Sequence, residues 1–189
     1  PQSFQDTGIL SISDVPTNIL EMLRSFSKES DPMVVLLSPG PISPAYSEHS
    51  FLARRMGIPL VQGGDLLVLN DEVYLKTVSG LSKVDVIYTR VSDQWLDPMV
   101  FRRDSNLGIP GLAHCVRRQS VAVINAIGSQ ISDDRALLPF ASQIIRYYLG
   151  ERPILPAVPT FWMGDIDQRE HVLEDLQNFT IRPLSGERI

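Results

Sequence analysis

Ser38, Gly40, Tyr46, Glu48 and His49 bring a hydroxyl, a phenol, a carboxylate and an imidazole into one short stretch. Side chains of these types can hold an anion, hydrogen-bond a polar substrate or move a proton. Tyr46, Glu48 and His49 fall in the first turns of a predicted helix leaving the turn Ser38-Pro39-Gly40-Pro41. A helix start offers unpaired backbone N–H groups to an anion. Two further segments share the setting: Thr89-Arg90-Val91-Ser92-Asp93 and Asn125-Ala126-Ile127-Gly128 each follow a predicted strand, as the Ser38 turn does. Pro, Gly, Asn and Ser also occupy turns for backbone reasons alone. Singly the three segments read as ordinary turns; together, with Arg90 and Asn125 among them, they read as a binding rim, and residue types leave both readings open.

Other chemistries find less support. His49, His114 and His171 have no ligand partners at short spacing and there is a single cysteine, Cys115, so no metal site is expected. Neither a Gly-x-Ser-x-Gly elbow nor a glycine-rich phosphate loop occurs. Arg102-Arg103-Asp104-Ser105, preceded by Asp97-Pro98, lies in a long loop with Trp95, Phe101, Gly108 and Gly111. It reads as a self-paired surface loop or, because long loops with aromatic anchors are often functional, as a substrate contact through Asp104.

These residues need a scaffold. Met33 to Leu37 is a continuous apolar run, the pattern of a strand covered on both faces of a parallel sheet. A helix with one apolar face (Ile19, Leu20, Leu23, Phe26) precedes it, started by Asp14 and Pro16. A second helix follows, with Ser43 as cap, Pro44 at its first position and Gly57 as its stop. Leu60-Val61 reads as a short strand, and Leu66 to Leu75 around Asn70-Asp71 as a hairpin. Val84 to Tyr88 and Val121 to Ile124 read as strands, with a short helix between them at Gly111 to Arg118. Ser132-Asp133-Asp134 opens a helical segment that stops at Gly150, with a kink or fresh start at Pro139. Pro153 to Pro159 is an extended linker, Ile166 to Leu176 a charged amphipathic helix, and Phe179 to Pro183 a final strand.

The order predicts an α/β fold of three layers: a largely parallel, Rossmann-like sheet with helices on its faces and a β-hairpin. Such sheets bind ligands at the carboxyl ends of their strands, which would put the three segments on one rim. Three divisions are expected: residues 1–32 as N-terminal helix and linker, 33–152 as the α/β lobe, and 153–189 as linker and the start of a further lobe. With 43% hydrophobic residues the 189-residue chain can build a core, and its net charge of -5 leaves no basic surplus for nucleic acid. No apolar run approaches the roughly 20 residues that span a bilayer, and no signal-peptide pattern opens the chain. The single cysteine fits a reducing, cytoplasmic setting. The chain opens on Pro1, and its last predicted strand runs into Ser185-Gly186, so an interior piece of a longer polypeptide is expected.

Leu37-Ser38-Pro39-Gly40-Pro41 followed by Ala45 to Arg54 resembles a signature of the bacterial circularly permuted ATP-grasp proteins, relatives of glutathionylspermidine synthase. Val84 to Pro98, Asp104 to Leu112, Asn125-Ala126, Asp133 to Ala136, Ile145 to Glu151, Pro153 to Pro156 and Phe179 to Pro183 resemble further blocks of that family in its order, over residues 33 to 186.

The resemblance implies ATP-dependent ligase chemistry, in which a carboxylate becomes an acylphosphate and an amine captures it as an amide. It implies ATP and Mg2+ in the intact parent and none in this piece alone, because the family's magnesium-ligand segment lies before Pro1 and its glycine-rich loop after the segment holding Arg182. With it Arg135 and Arg182 are expected at the nucleotide phosphates, while Ser38, Gly40, Tyr46, Glu48, His49, Arg90 and Asn125 of the rim and Asp104 of the long loop remain the candidates for a small-molecule or peptide substrate. Family members generally carry lysine at the positions of Arg135 and Arg182, and paired arginines where this chain has Thr89-Arg90. Arginine keeps the charge but changes the shape of the contact, so either the nucleotide is held differently or the copy is degenerate. A non-catalytic module docking with companion proteins and a plain small-molecule-binding domain are the competing readings. The acceptor and the oligomeric state do not follow from the sequence.

Overall fold

The structure is a computed structural model that describes residues 12–184. The N-terminal polar stretch and the tail from Ser185, with its glycine, lie outside the described residues. The chain forms two compact units, one ending at Gly128 and the other beginning at Ser129.

The first unit is organised by a four-stranded parallel sheet in the order β2-β1-β6-β7, from β1 (Val34–Leu37), β2 (Leu60–Val61), β6 (Val86–Thr89) and β7 (Ala122–Ile124). Registers of Val34 to Val86, Leu36 to Leu60 and Ile87 to Val123 fix the pairing. All four β1 residues are buried, as a strand covered on both faces requires. Side chains alternate across it. Val34, Leu36 and Val86 pack with Leu23 of α1 (Val15–Arg24) and with Ala53 and Met56 of α2 (Tyr46–Met56). Val35, Leu37, Ile87 and Val123 pack on the opposite face.

That opposite face departs from expectation. The sequence predicts helices on both faces, yet this one is covered largely by an antiparallel sheet in the order β3-β4-β5, made of β3 (Leu66–Leu69), β4 (Glu72–Thr77) and β5 (Gly80–Lys83). Its first turn is the predicted Asn70-Asp71, both at positive φ (51° and 64°), the geometry that matches strand twist. Val73 and Leu75 of β4 enter the core and join Leu96 of α3 (Asp93–Leu96) and Leu112 and Cys115 of α4 (Leu112–Arg117). The three layers are thus helices, parallel sheet, and antiparallel sheet with short helices.

A long loop between α3 and α4 is tied down from inside. Asp97, fully buried, accepts hydrogen bonds from the N–H groups of Met99 (2.9 Å), Gly111 (3.1 Å) and Ala113 (2.9 Å). Gly108 in this loop lies backbone against backbone on Trp95 and Leu96, where a Cβ would collide with their carbonyl oxygens.

The second unit holds two 3₁₀ segments (Ser129–Asp133 and Arg135–Phe140), α5 (Ala141–Leu149), α6 (Ile166–Glu174) and a final 3₁₀ turn (Leu176–Asn178). The fresh start after Pro139 occurs as expected, and Gly150 ends α5 in the left-handed region. The unit begins at Ser129, earlier than the expected boundary at residue 152. The proline-rich stretch is internal to it: Phe140 before the stretch packs edge-on against Trp162 after it, with centroids 6.3 Å apart. The final strand expected at Phe179 to Pro183 is not formed; Phe179 instead packs on Phe161 and His171. No described helix is long and apolar enough to cross a membrane.

Candidate functional site

Because the four strands of the first unit run parallel, their carboxyl ends share one edge of the sheet. Ser38 follows β1, Arg90 follows β6 and Asn125 follows β7, so the three segments singled out by sequence do form one rim. A fourth segment belongs with them: Gln62 follows β2, its N–H bonded to Asp65 Oδ2 (2.8 Å). The same rule applied to the two-residue strand Leu60-Val61 would have found it. Main-chain bonds lock the rim together, from Ser38 N to the Val61 carbonyl (2.9 Å) and from Arg90 N to the Leu37 carbonyl (2.8 Å). Asp93 adds a further tie, its Oδ2 accepting from Gly128 N (2.8 Å).

At the centre lie Ser38 and His49, both buried, with Ser38 Oγ 2.9 Å from His49 Nδ1. Gly40 N–H donates to the same Oγ (3.1 Å), and Gly40 takes a positive φ of 83° against the Gln62 side chain. Burial, reinforced by the Arg90 charge and opposed by Glu48, holds the His49 pKa below its ordinary value. Ser38 Oγ and His49 Nδ1 share one hydrogen bond, whose donor follows the tautomer of the ring. No buried side-chain nitrogen or oxygen among the described residues lacks a partner.

Beside this pair Arg90 Nη2 donates to Glu48 Oε1, and Nη1 lies 3.4 Å from the Tyr88 hydroxyl. Tyr46 opens α2 with its N–H on the Ser43 carbonyl, and Ser43 Oγ accepts from Ala45 N (3.3 Å); the helix therefore starts two residues beyond the predicted Pro44, with Ser43 still serving its entry. Asn125 is exposed at the end of β7. Asp104 follows no strand. Its carboxylate takes a two-point contact from Arg102 (3.1 and 2.7 Å), which holds its pKa below the usual range, while Arg102 stacks 4.0 Å over Trp95.

In the second unit Arg135 Nη1 donates to the Pro183 carbonyl (3.0 Å), which brings it beside the Arg182 main chain. Asp134 caps its 3₁₀ segment by accepting from Ala136 N (2.8 Å).

The family of proteins described as circularly permuted ATP-grasp type 2 matches residues 1–189. The chain belongs to this family. It is 39% identical over 188 residues to an uncharacterised protein of Mycobacterium tuberculosis, covering 98% of this chain and 34% of that protein. It is 40% identical over 184 residues to an uncharacterised protein of Synechocystis, covering 96% and 38%. It is 36% identical over 190 residues to a Frankia casuarinae protein named "Putative glutamate–cysteine ligase 2-2", covering 98% and 22%. The chain thus spans about a third of the length of the uncharacterised relatives and less of the ligase-named one.

ATP-grasp chemistry uses Mg2+, a cation that takes carboxylate and other oxygen ligands. Among the described residues no three His, Cys, Asp or Glu side chains converge in a way that could hold a metal.

Proposed function

We propose that this chain is the central part of an ATP-dependent carboxylate–amine ligase, with the rim of the first unit as its substrate-binding edge. The observation that carries this reading is the family match along residues 1–189, whose relatives include one named as a ligase. The reaction joins a carboxylate oxygen to the γ-phosphorus of ATP with loss of ADP; an amine then attacks the acyl carbon and expels phosphate, leaving an amide. Ser38, Gly40, Tyr46, Glu48, His49, Arg90 and Asn125 supply the rim's polar groups, and Asp104 contributes only where a ligand competes for Arg102. Arg135 and Arg182 supply positive charge toward the nucleotide phosphates. The chemistry is that of a polypeptide of the relatives' length, of which these residues span about a third, acting in the cytoplasm on a small molecule or peptide. Titrating that longer polypeptide calorimetrically with ATP and Mg2+ tests the reading: saturable heat is expected, and none at millimolar nucleotide would remove it.

A second reading has its own support. Arg135, where the family generally carries lysine, spends a guanidinium donor on the Pro183 main chain. A group used structurally in this way suits a non-catalytic relative that docks with companion proteins. Under that reading the Arg135→Lys, Arg182→Lys double variant of the longer polypeptide gains no ATP turnover, whereas the appearance of turnover sinks it.

A further inference from the structure

We propose that Arg90 anchors a carboxylate-binding subsite on the rim and that Glu48 occupies it as a built-in surrogate until a ligand carboxylate displaces it. The inference rests on the ligase reading and deepens it, by naming the group the rim recognises and the residue that competes for it.

The two partners are held unequally. Arg90 follows β6 directly, its N–H bonded to the Leu37 carbonyl at 2.8 Å, one residue from Ser38. Its guanidinium rests near the Tyr88 ring, 5.8 Å from the centroid. Its side chain is 28% exposed, whereas that of Glu48 is 53% exposed. The cation is therefore the fixed element and the carboxylate the replaceable one.

Donor capacity points the same way. A guanidinium has five N–H donors in a rigid fork that fits a carboxylate at two points. Among the described residues Arg90 uses two of its nitrogens, one on Tyr88 and one on a single oxygen of Glu48. The fork is incompletely used, and a ligand carboxylate that takes both its points does better than Glu48. Glu48, once released, stands in water, so its displacement costs little.

The charge balance selects the ligand class. A lone guanidinium flanked by a carboxylate suits a planar monoanion. A phosphate dianion would meet the Glu48 charge, and among the described residues Glu48 has Arg90 as its cation on this rim. His49, whose pKa is lowered by burial and by Arg90 and raised by Glu48, lies beside the subsite with its Nδ1 on Ser38 Oγ.

The test uses the 189-residue chain without nucleotide and reads NMR shifts of the Arg90 side chain during titration with N-acetylglycinate, N-acetylglycinamide or inorganic phosphate. Saturable shifts with N-acetylglycinate are expected, none with the amide, and weaker binding of phosphate. Glu48→Gln should bind N-acetylglycinate about 2- to 5-fold more tightly, the scale of an exposed ion pair released from competition, and Arg90→Gln should not bind it. Glu48→Ala should give the same gain without an amide that could itself bond Arg90, and thermal unfolding checks that each variant is folded. The proposal is overturned if neither Glu48 variant binds more tightly than the parent, if Arg90→Gln binds as well, or if phosphate binds as tightly as the carboxylate. With nucleotide absent throughout, a negative result removes the subsite alone; the ligase reading stands or falls separately on the ATP titration.

Discussion

His49 is the residue in which burial and chemistry meet most directly. Its ring is buried, it shares a hydrogen bond with Ser38, and its pKa is lowered chiefly by desolvation. The unfolded chain, with a histidine pKa near 6.5, then binds a proton more readily than the folded one. The stabilisation is complete above pH 6.5 and is lost as the pH falls through the folded value. Urea midpoints recorded from pH 7.5 to 5 should therefore drop more steeply for the parent than for His49→Gln, which has no titrating ring there. Equal slopes would mean that the ring is not held neutral by the fold. Sequence pointed to Ser38 and His49 as polar residues near a strand end, but not to their bond, which depends on α2 folding back beside β1. Nor could it pair Glu48 with Arg90, separated by 42 positions and joined only by strand order.

Among the elements, the loop between α3 and α4 shows how a carboxylate can act through the backbone. Asp97 Oδ1 takes the N–H groups of Met99 and Gly111, and Oδ2 takes that of Ala113 at the start of α4. Replacing it by alanine strands three main-chain donors, that of Ala113 buried and those of Met99 and Gly111 part-buried, a loss of about 2 to 3 kcal/mol. Asp97→Asn keeps one acceptor oxygen but turns an NH2 toward a donor, and an intermediate loss is expected; urea unfolding of the two variants gives the order. A loss below about 1 kcal/mol for alanine would show that water replaces the carboxylate. The apolar runs of β1, β6 and β7 were legible because buried parallel strands need continuous hydrophobic sequence. Gly80-Leu81-Ser82-Lys83 was not, since it pairs with β4 by position rather than by propensity. The reverse holds for Phe179 to Pro183, which reads as a strand but forms none, its Phe179 ring packing instead on Phe161 and His171.

At the scale of the whole molecule the two units differ in how well they bury their apolar residues. The first encloses two hydrophobic clusters around the parallel sheet. Between Ser129 and Leu184 Val172 is the only fully buried hydrophobic residue, while Tyr147, Ile154, Leu155 and Val158 are each more than 80% exposed. Local stability follows buried apolar contact, so the second unit should open at far lower free energy than the first. Hydrogen exchange of the 189-residue chain should accordingly show the amides of β1 and β6 protected for the longest times. Those of α5 and α6 should exchange within the time expected of isolated helices, which are marginal at nine residues each. Under the ligase reading, the same amides become protected in the longer polypeptide, and do so further when ATP is added. Protection of α5 equal to that of β1 in the 189-residue chain would contradict the argument from burial, whatever the longer polypeptide does.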